Sequence, residues 1–80
     1  MHITVKLYAG LRRFGPAAES GAGFLLQVPV GSDVGKLLEQ LHVPDGAPVV
    51  AMVNQEVAEG PDHRLADGDV VSLFPPIAGG

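Results

Sequence analysis

Hydrophobic and polar residues alternate over the first segment of the chain. Ile3, Val5 and Leu7 fall on one side and His2, Thr4, Lys6 and Tyr8 on the other, a period of two that predicts a half-buried strand over residues 2–9. Gly10 to Gly23 holds Pro16 and four glycines with little periodicity, which suits a wide loop between two strands. Phe24 to Val30 reads as a second strand with Phe24, Leu26, Val28 and Val30 on one face, closing a first hairpin. After Gly31, Val34, Leu37, Leu38 and Leu41 recur at i, i+3, i+4 and i+7, the stripe of a short amphipathic helix that either Ser32 or Asp33 can cap. Gly35 inside that helix costs about 1 kcal/mol relative to Ala, so tertiary packing rather than propensity must hold it.

Pro44, Asp45, Gly46 and Pro48 end the helix, and the apolar run Val49 to Val53 is short enough for a central strand. Asn54-Gln55 begins a turn, Glu56 to Ala58 suits a short edge strand, and Asp62, Asp67, Gly68 and Asp69 mark turns on either side of Leu65. The last strand, Val70 to Phe74, turns Val71 and Leu73 to one side and Val70, Ser72 and Phe74 to the other. The order is strand, strand, helix, strand, short strand, strand. One helix covers one face of such a sheet, so Ile3, Val5, Leu7, Val71, Leu73 and the helical stripe should form the core. The opposite face, carrying Tyr8, Val70, Phe74 and Val57, is left open as a docking surface.

Length and composition narrow the function. A chain of 80 residues buries only roughly 60% of its unfolded surface, enough for one modest core and too little for a walled active-site cavity. The formal charge is −4, and Arg12 and Arg13 are the one adjacent basic pair, which argues against a nucleic-acid binder and for protein partners. Without Cys there is no disulfide framework, thiolate zinc site or side-chain thiol. The N-terminus lacks a signal-peptide pattern, and no segment approaches the ~20 apolar residues of a membrane span, so a cytoplasmic protein is expected.

No side-chain constellation carries catalysis. His2, His42 and His63 lack metal-ligand spacing, and no metal site is expected. Gly31 to Lys36 has three residues where a phosphate loop needs four between its glycines, and Leu37 where that loop needs Ser or Thr. Asp62, Asp67 and Asp69 miss the spacing of a calcium loop and are better explained as turn formers. What is unusual is the segment after the last strand. Phe74-Pro75-Pro76 is locally stiff, two small aliphatics Ile77 and Ala78 follow, then Gly79 and Gly80. The six residues from Pro75 extend up to ~20 Å, and a Gly-Gly end without Cβ atoms can thread a narrow passage in a partner. The reactive group would be the α-carboxylate of Gly80, a poor electrophile that needs activation, typically as an acyl-adenylate, in a partner's nucleotide site.

Four segments together carry a resemblance: Val5-Lys6-Leu7-Tyr8-Ala9-Gly10-Leu11-Arg12, Ala51-Met52-Val53-Asn54-Gln55, Leu65-Ala66-Asp67-Gly68-Asp69 and Phe74-Pro75-Pro76-Ile77-Ala78-Gly79-Gly80. In this order the chain resembles, over essentially its whole length, the MoaD/ThiS family of ubiquitin-like sulfur carriers. The resemblance implies an α+β fold of β-grasp type, a mixed sheet of about five strands on one main helix, with residues 1–74 as the domain and 75–80 as a flexible extended tail. It implies no bound cofactor and no catalytic site of the chain's own. An E1-like adenylyltransferase (MoeB/ThiF-like) would use ATP and magnesium to adenylate Gly80, and a sulfur donor such as a cysteine desulfurase or rhodanese would convert the adenylate to a thiocarboxylate. An acceptor enzyme would then take the sulfur. In the molybdopterin branch, which Phe74-Pro75-Pro76 favours, the acceptor is the MoaE-like large subunit of molybdopterin synthase. The family's contacts fall on Arg12, Val57, Phe74 and the tail, with Tyr8 where an aromatic is common. The Gly-rich first loop and a shorter helix-to-strand connection depart from the family pattern. Carriers for thiazole, cysteine or tungsten-cofactor synthesis, a protein modifier linked to target lysines through Gly80, and a non-covalent β-grasp binding module are the rival readings.

Overall fold

The computed structural model describes residues 1–16 and 21–76. Five strands form one mixed sheet: β1 (His2–Leu7), β2 (Gly23–Gln27), β3 (Val50–Val53), β4 (Glu56–Val57) and β5 (Val70–Phe74), in the order β2-β1-β5-β3-β4. β1 and β5 run parallel and every other pair antiparallel, as a β-grasp, ubiquitin-like sheet requires. The alternation read from β1 and β5 is the observed burial pattern. Ile3, Val5, Leu7, Val71 and Leu73 are fully buried and form one core with Val34 and Leu37 of α1 (Val34–Gln40), the one α-helix among the described residues, and with Leu41 at its C-cap.

The start of α1 shows how a seven-residue helix holds with a glycine in it. The first N–H groups of any helix lack intrahelical partners. Here the Asp33 carboxylate accepts from the Lys36 N–H at 2.8 Å and is the cap, while the Ser32 hydroxyl donates instead to the Pro29 carbonyl. The Val34 and Gly35 N–H groups donate to the carbonyls of His63 and Pro61, on the loop that buried Leu65 pins to the core. A Cβ at Gly35 would stand 3.3 Å from both Cβ and O of Pro61, so the weak helix former is what lets this loop come close. At the other end, Val43 N–H donates to Leu38 and His42 N–H to Glu39, a Schellman closure with His42 at φ 64° where glycine is usual.

Three local expectations are corrected. The Gly-rich stretch after β1 is not featureless: Ala9–Phe14 forms a 3-10 helix because Leu11 turns inward and is buried, and its packing outweighs the flanking glycines. Residues 17–20 of that stretch lie outside the described residues. The second strand ends at Gln27. Val28 is still buried, but Val30 stands in a turn at 87% exposure, because the chain leaves the sheet at Pro29 to enter the helix. Tyr8, Ala9, Val49 and Ala58 also fall outside the strands assigned to them.

The aspartates of the 67–69 turn serve the backbone, as their turn chemistry predicts. Asp67 accepts from the His2 N–H at 2.7 Å. The Asp69 carboxylate accepts from Ala66 N–H and from the Asn54 side-chain amide, and Asn54 Oδ1 accepts from Val70 N–H. One turn thus ties the start of β1, the end of β3 and the start of β5, fixing the register that decides which residues face outward.

Candidate functional site

A sheet of alternating residues covered by one helix has a second face. On it, residues paired across neighbouring strands form rows. Lys6, Ser72, Met52 and Val57 make one row across four strands, and Leu25, Thr4 and Val70 another. Val50 pairs with Phe74 nearest the point where the chain leaves the sheet. Of the four large hydrophobics that stand exposed among the described residues, three lie on this face: Leu25 at 73%, Val57 at 63% and Val50. Together they make an apolar surface broken by Thr4, Lys6 and Ser72, with a hollow between Lys6, Tyr8, Met52 and Val70.

An aromatic pair stands where the chain leaves the sheet. The Tyr8 and Phe74 rings are stacked with centroids 4.4 Å apart and planes 14° from parallel. Each ring is placed by its backbone: Phe74 ends β5, and Tyr8 N–H donates to the Leu73 carbonyl, carrying the parallel β1–β5 pairing one residue past β1. Gly21 supports Tyr8 from another side. It lies at φ 78°, its N–H donates to Leu7 O, and a Cβ there would fall 2.8 Å from Tyr8 Cε2. The absence of a side chain at residue 21 therefore makes room for the ring. Pro75, half-buried, and exposed Pro76 continue from the stack, and Ile77, Ala78, Gly79 and Gly80 lie outside the described residues.

The 3-10 helix packs against β1 and β5 beside this root and carries Arg12, exposed, with Nε donating to the Ala9 carbonyl at 3.3 Å. The neighbouring Arg13 guanidinium lies over the Phe14 ring, 4.7 Å from its centroid. Tyr8 and Phe74 are therefore in contact and Arg12 follows them by one turn of chain. Val57 stands apart on edge strand β4, joined to β5 across the strip formed by Met52 and Val50. Those two and Leu25 were absent from the sequence-based candidates. Their signal is strand parity: in β3 Ala51 and Val53 point inward, so Val50 and Met52 must point outward, a pattern hidden because every residue of that run is apolar, and in β2 Leu25 lies on the side opposite Phe24 and Leu26.

The face offers aromatic and aliphatic contact area with a few polar groups, the composition of a protein-docking surface rather than of a reaction centre. Among the described residues no group of three or more His, Asp or Glu is placed to hold a metal ion, and no helix is long and apolar enough to cross a membrane.

A family model described as the ThiS family matches residues 5–80. Among solved structures, the chain is similar to a protein described as molybdopterin converting factor subunit 1 from Pyrococcus furiosus, at 27% identity and a TM-score of 0.71, covering 95% of this chain and 98% of that one. It is similar to the small archaeal modifier protein 1 of Haloferax volcanii at 26% identity and a TM-score of 0.72, with the same coverage of each chain. It is also similar to a chain in the complex of subunits 1 and 2 of the molybdopterin-converting factor from Helicobacter pylori, at 26% identity, full coverage of both chains and a TM-score of 0.62. A search of the curated proteins found no match.

Proposed function

The chain belongs to the ThiS family, among the ubiquitin-like sulfur carriers, and from that premise we propose that it carries sulfur as a thiocarboxylate on Gly80 for the synthesis of molybdopterin in the cytoplasm. The carboxylate of Gly80 attacks the α-phosphorus of ATP in an E1-like enzyme, which holds the nucleotide and magnesium, and pyrophosphate leaves. Sulfur delivered at the hydrosulfide level then attacks the acyl carbon and expels AMP. Gly79 lets the end pass through a narrow entrance, Pro75 and Pro76 keep the arm extended, and Ile77 and Ala78 carry no charge to desolvate. Tyr8, Phe74, Val57 and Arg12 hold the domain on the partner while the arm reaches in.

The observation that carries this reading is the Tyr8–Phe74 stack at the root of the arm, set at the edge of an uncovered apolar face. Preformed aromatic contacts lose little side-chain entropy on binding, which suits an anchor that must aim the reactive segment. The run Phe74-Pro75-Pro76 and the likeness to converting-factor subunits support the molybdopterin branch, with a large synthase subunit as acceptor. A second reading, a modifier linked through Gly80 to lysines, is supported by the likeness to an archaeal modifier protein.

Incubation with the cognate activating enzyme, ATP, magnesium and a sulfur donor is expected to give an intact-mass gain matching one oxygen replaced by sulfur. No gain with an active enzyme would overturn the carrier reading, and isopeptide-linked adducts from cells would favour the modifier. Adding the large synthase subunit and its pterin precursor tests the branch.

A further inference from the structure

On the side of the sheet away from the open face, a cleft of about 360 Å³ lies between α1, the loop that follows it, and the loop joining β4 to β5. Buried Val34, Val43 and Ala51 and half-buried Leu38, Val49 and Ala58 line it. It exists because Ala51 and Ala58 stand where larger side chains would fill the space between helix and sheet, and a single bulky apolar side chain fits such a gap. Its rim is acidic. Glu39 and Asp45 border the cleft, and the adjoining hollow adds Asp33 and Asp62, against the ammonium of Lys36, which already pairs with Glu39 at 3.7 Å. That leaves a local excess of three negative charges around an apolar slot.

We propose that this cleft is a second docking site, and that it takes a segment of a partner protein with one bulky aliphatic or aromatic anchor flanked by Lys or Arg. The anchor gains from leaving water, and the basic flanks answer the rim; a second copy of this chain would bring the same carboxylates face to face. Because the slot is on the helix side, it stays open while the open sheet face is engaged. The inference is independent of the sulfur-carrier reading and uses none of the tail.

The test follows backbone amide shifts of the isotope-labelled full chain by NMR during titration with a short synthetic peptide bearing a single Phe anchor between Lys-Arg pairs. A control peptide keeps the anchor and replaces the basic pairs with Glu. The basic peptide is expected to shift Gly35, Leu38, Ala51 and Ala58, with affinity falling as salt rises, and the acidic peptide to leave them unmoved. Ala58→Phe fills the slot and should abolish the shifts. The exposed pair Glu39→Lys and Asp45→Lys, which leaves the core untouched, should weaken binding at least about tenfold. Equal response to both peptides, shifts confined to the open face, no shifts, or cleft shifts on concentrating the protein alone (the mark of a second copy) would each overturn the proposal.

Discussion

The two faces of the sheet are built from the same strands, often from adjacent residues, yet they differ in every physical respect. On the helix side Leu7, Val71 and Leu73 have no exposed surface, while on the other side Lys6, Tyr8, Ser72 and Phe74 alternate with them and remain in reach of solvent. The difference follows from counting layers: one seven-residue helix can cover one face of five strands, so burial is concentrated on one side and the other is left open for the docking proposed above. Substitutions should therefore separate the two properties cleanly.

The largest effect tests the separation directly. Deleting Gly79 and Gly80, or adding one residue after Gly80, is expected to abolish thiocarboxylate formation while thermal unfolding stays unchanged; partial transfer by either variant would break the proposed division of labour. On the helix side, Leu73→Ala should cost about 3 kcal/mol out of a total of roughly 4–12 kcal/mol for a domain of this size, measured by denaturant unfolding. Its neighbour Phe74→Ala should cost only about 1 kcal/mol of stability, the worth of one aromatic stack, yet weaken partner binding at least about tenfold by calorimetry. Equal stability losses at these two adjacent positions would refute the contrast.

Gly21 joins the two properties, since it is a backbone position that shapes the open face. Gly21→Ala combines a positive φ with a Cβ 2.8 Å from the Tyr8 ring, and should cost about 2 kcal/mol and displace the Tyr8 resonances. The smallest effects are gains. His42 at φ 64° and Gln55 at φ 73° occupy conformations that glycine adopts freely. His42→Gly, away from the open face, should raise stability by about 0.5–1 kcal/mol without touching partner affinity. Gln55→Gly should give a similar gain, but Gln55 borders the hollow on the open face, so any loss of affinity there would identify the strained turn as part of the docking surface.

The elements whose residues alternate or repeat were legible in the chain. Ile3, Val5 and Leu7 announce β1, the spacing of Val34, Leu37 and Leu41 announces the helix, and Tyr8 and Phe74 stand out as aromatic residues on the solvent side of the alternating pattern. Val50 and Met52 were concealed because an all-apolar run shows no parity. Leu11 gave no period by itself, so the 3-10 helix that holds Arg12 was hidden inside what composition marks as a loop. Gly21 was one glycine among several, and only its contact with Tyr8 singles it out.

By itself the sequence determined the order of the strands and of the α-helix, the sidedness of β1 and β5 and the small uncharged run Ile77 to Gly80, because these are local properties of spacing and residue type. Tertiary structure alone decided that β1 and β5 lie side by side and parallel, which stacks Tyr8 on a residue 66 positions away. It also decided that two alanines on β3 and beyond β4 leave a slot beneath an acidic rim. Such features depend on which distant segments meet, and a chain's local periodicity carries no record of that until the sheet has closed.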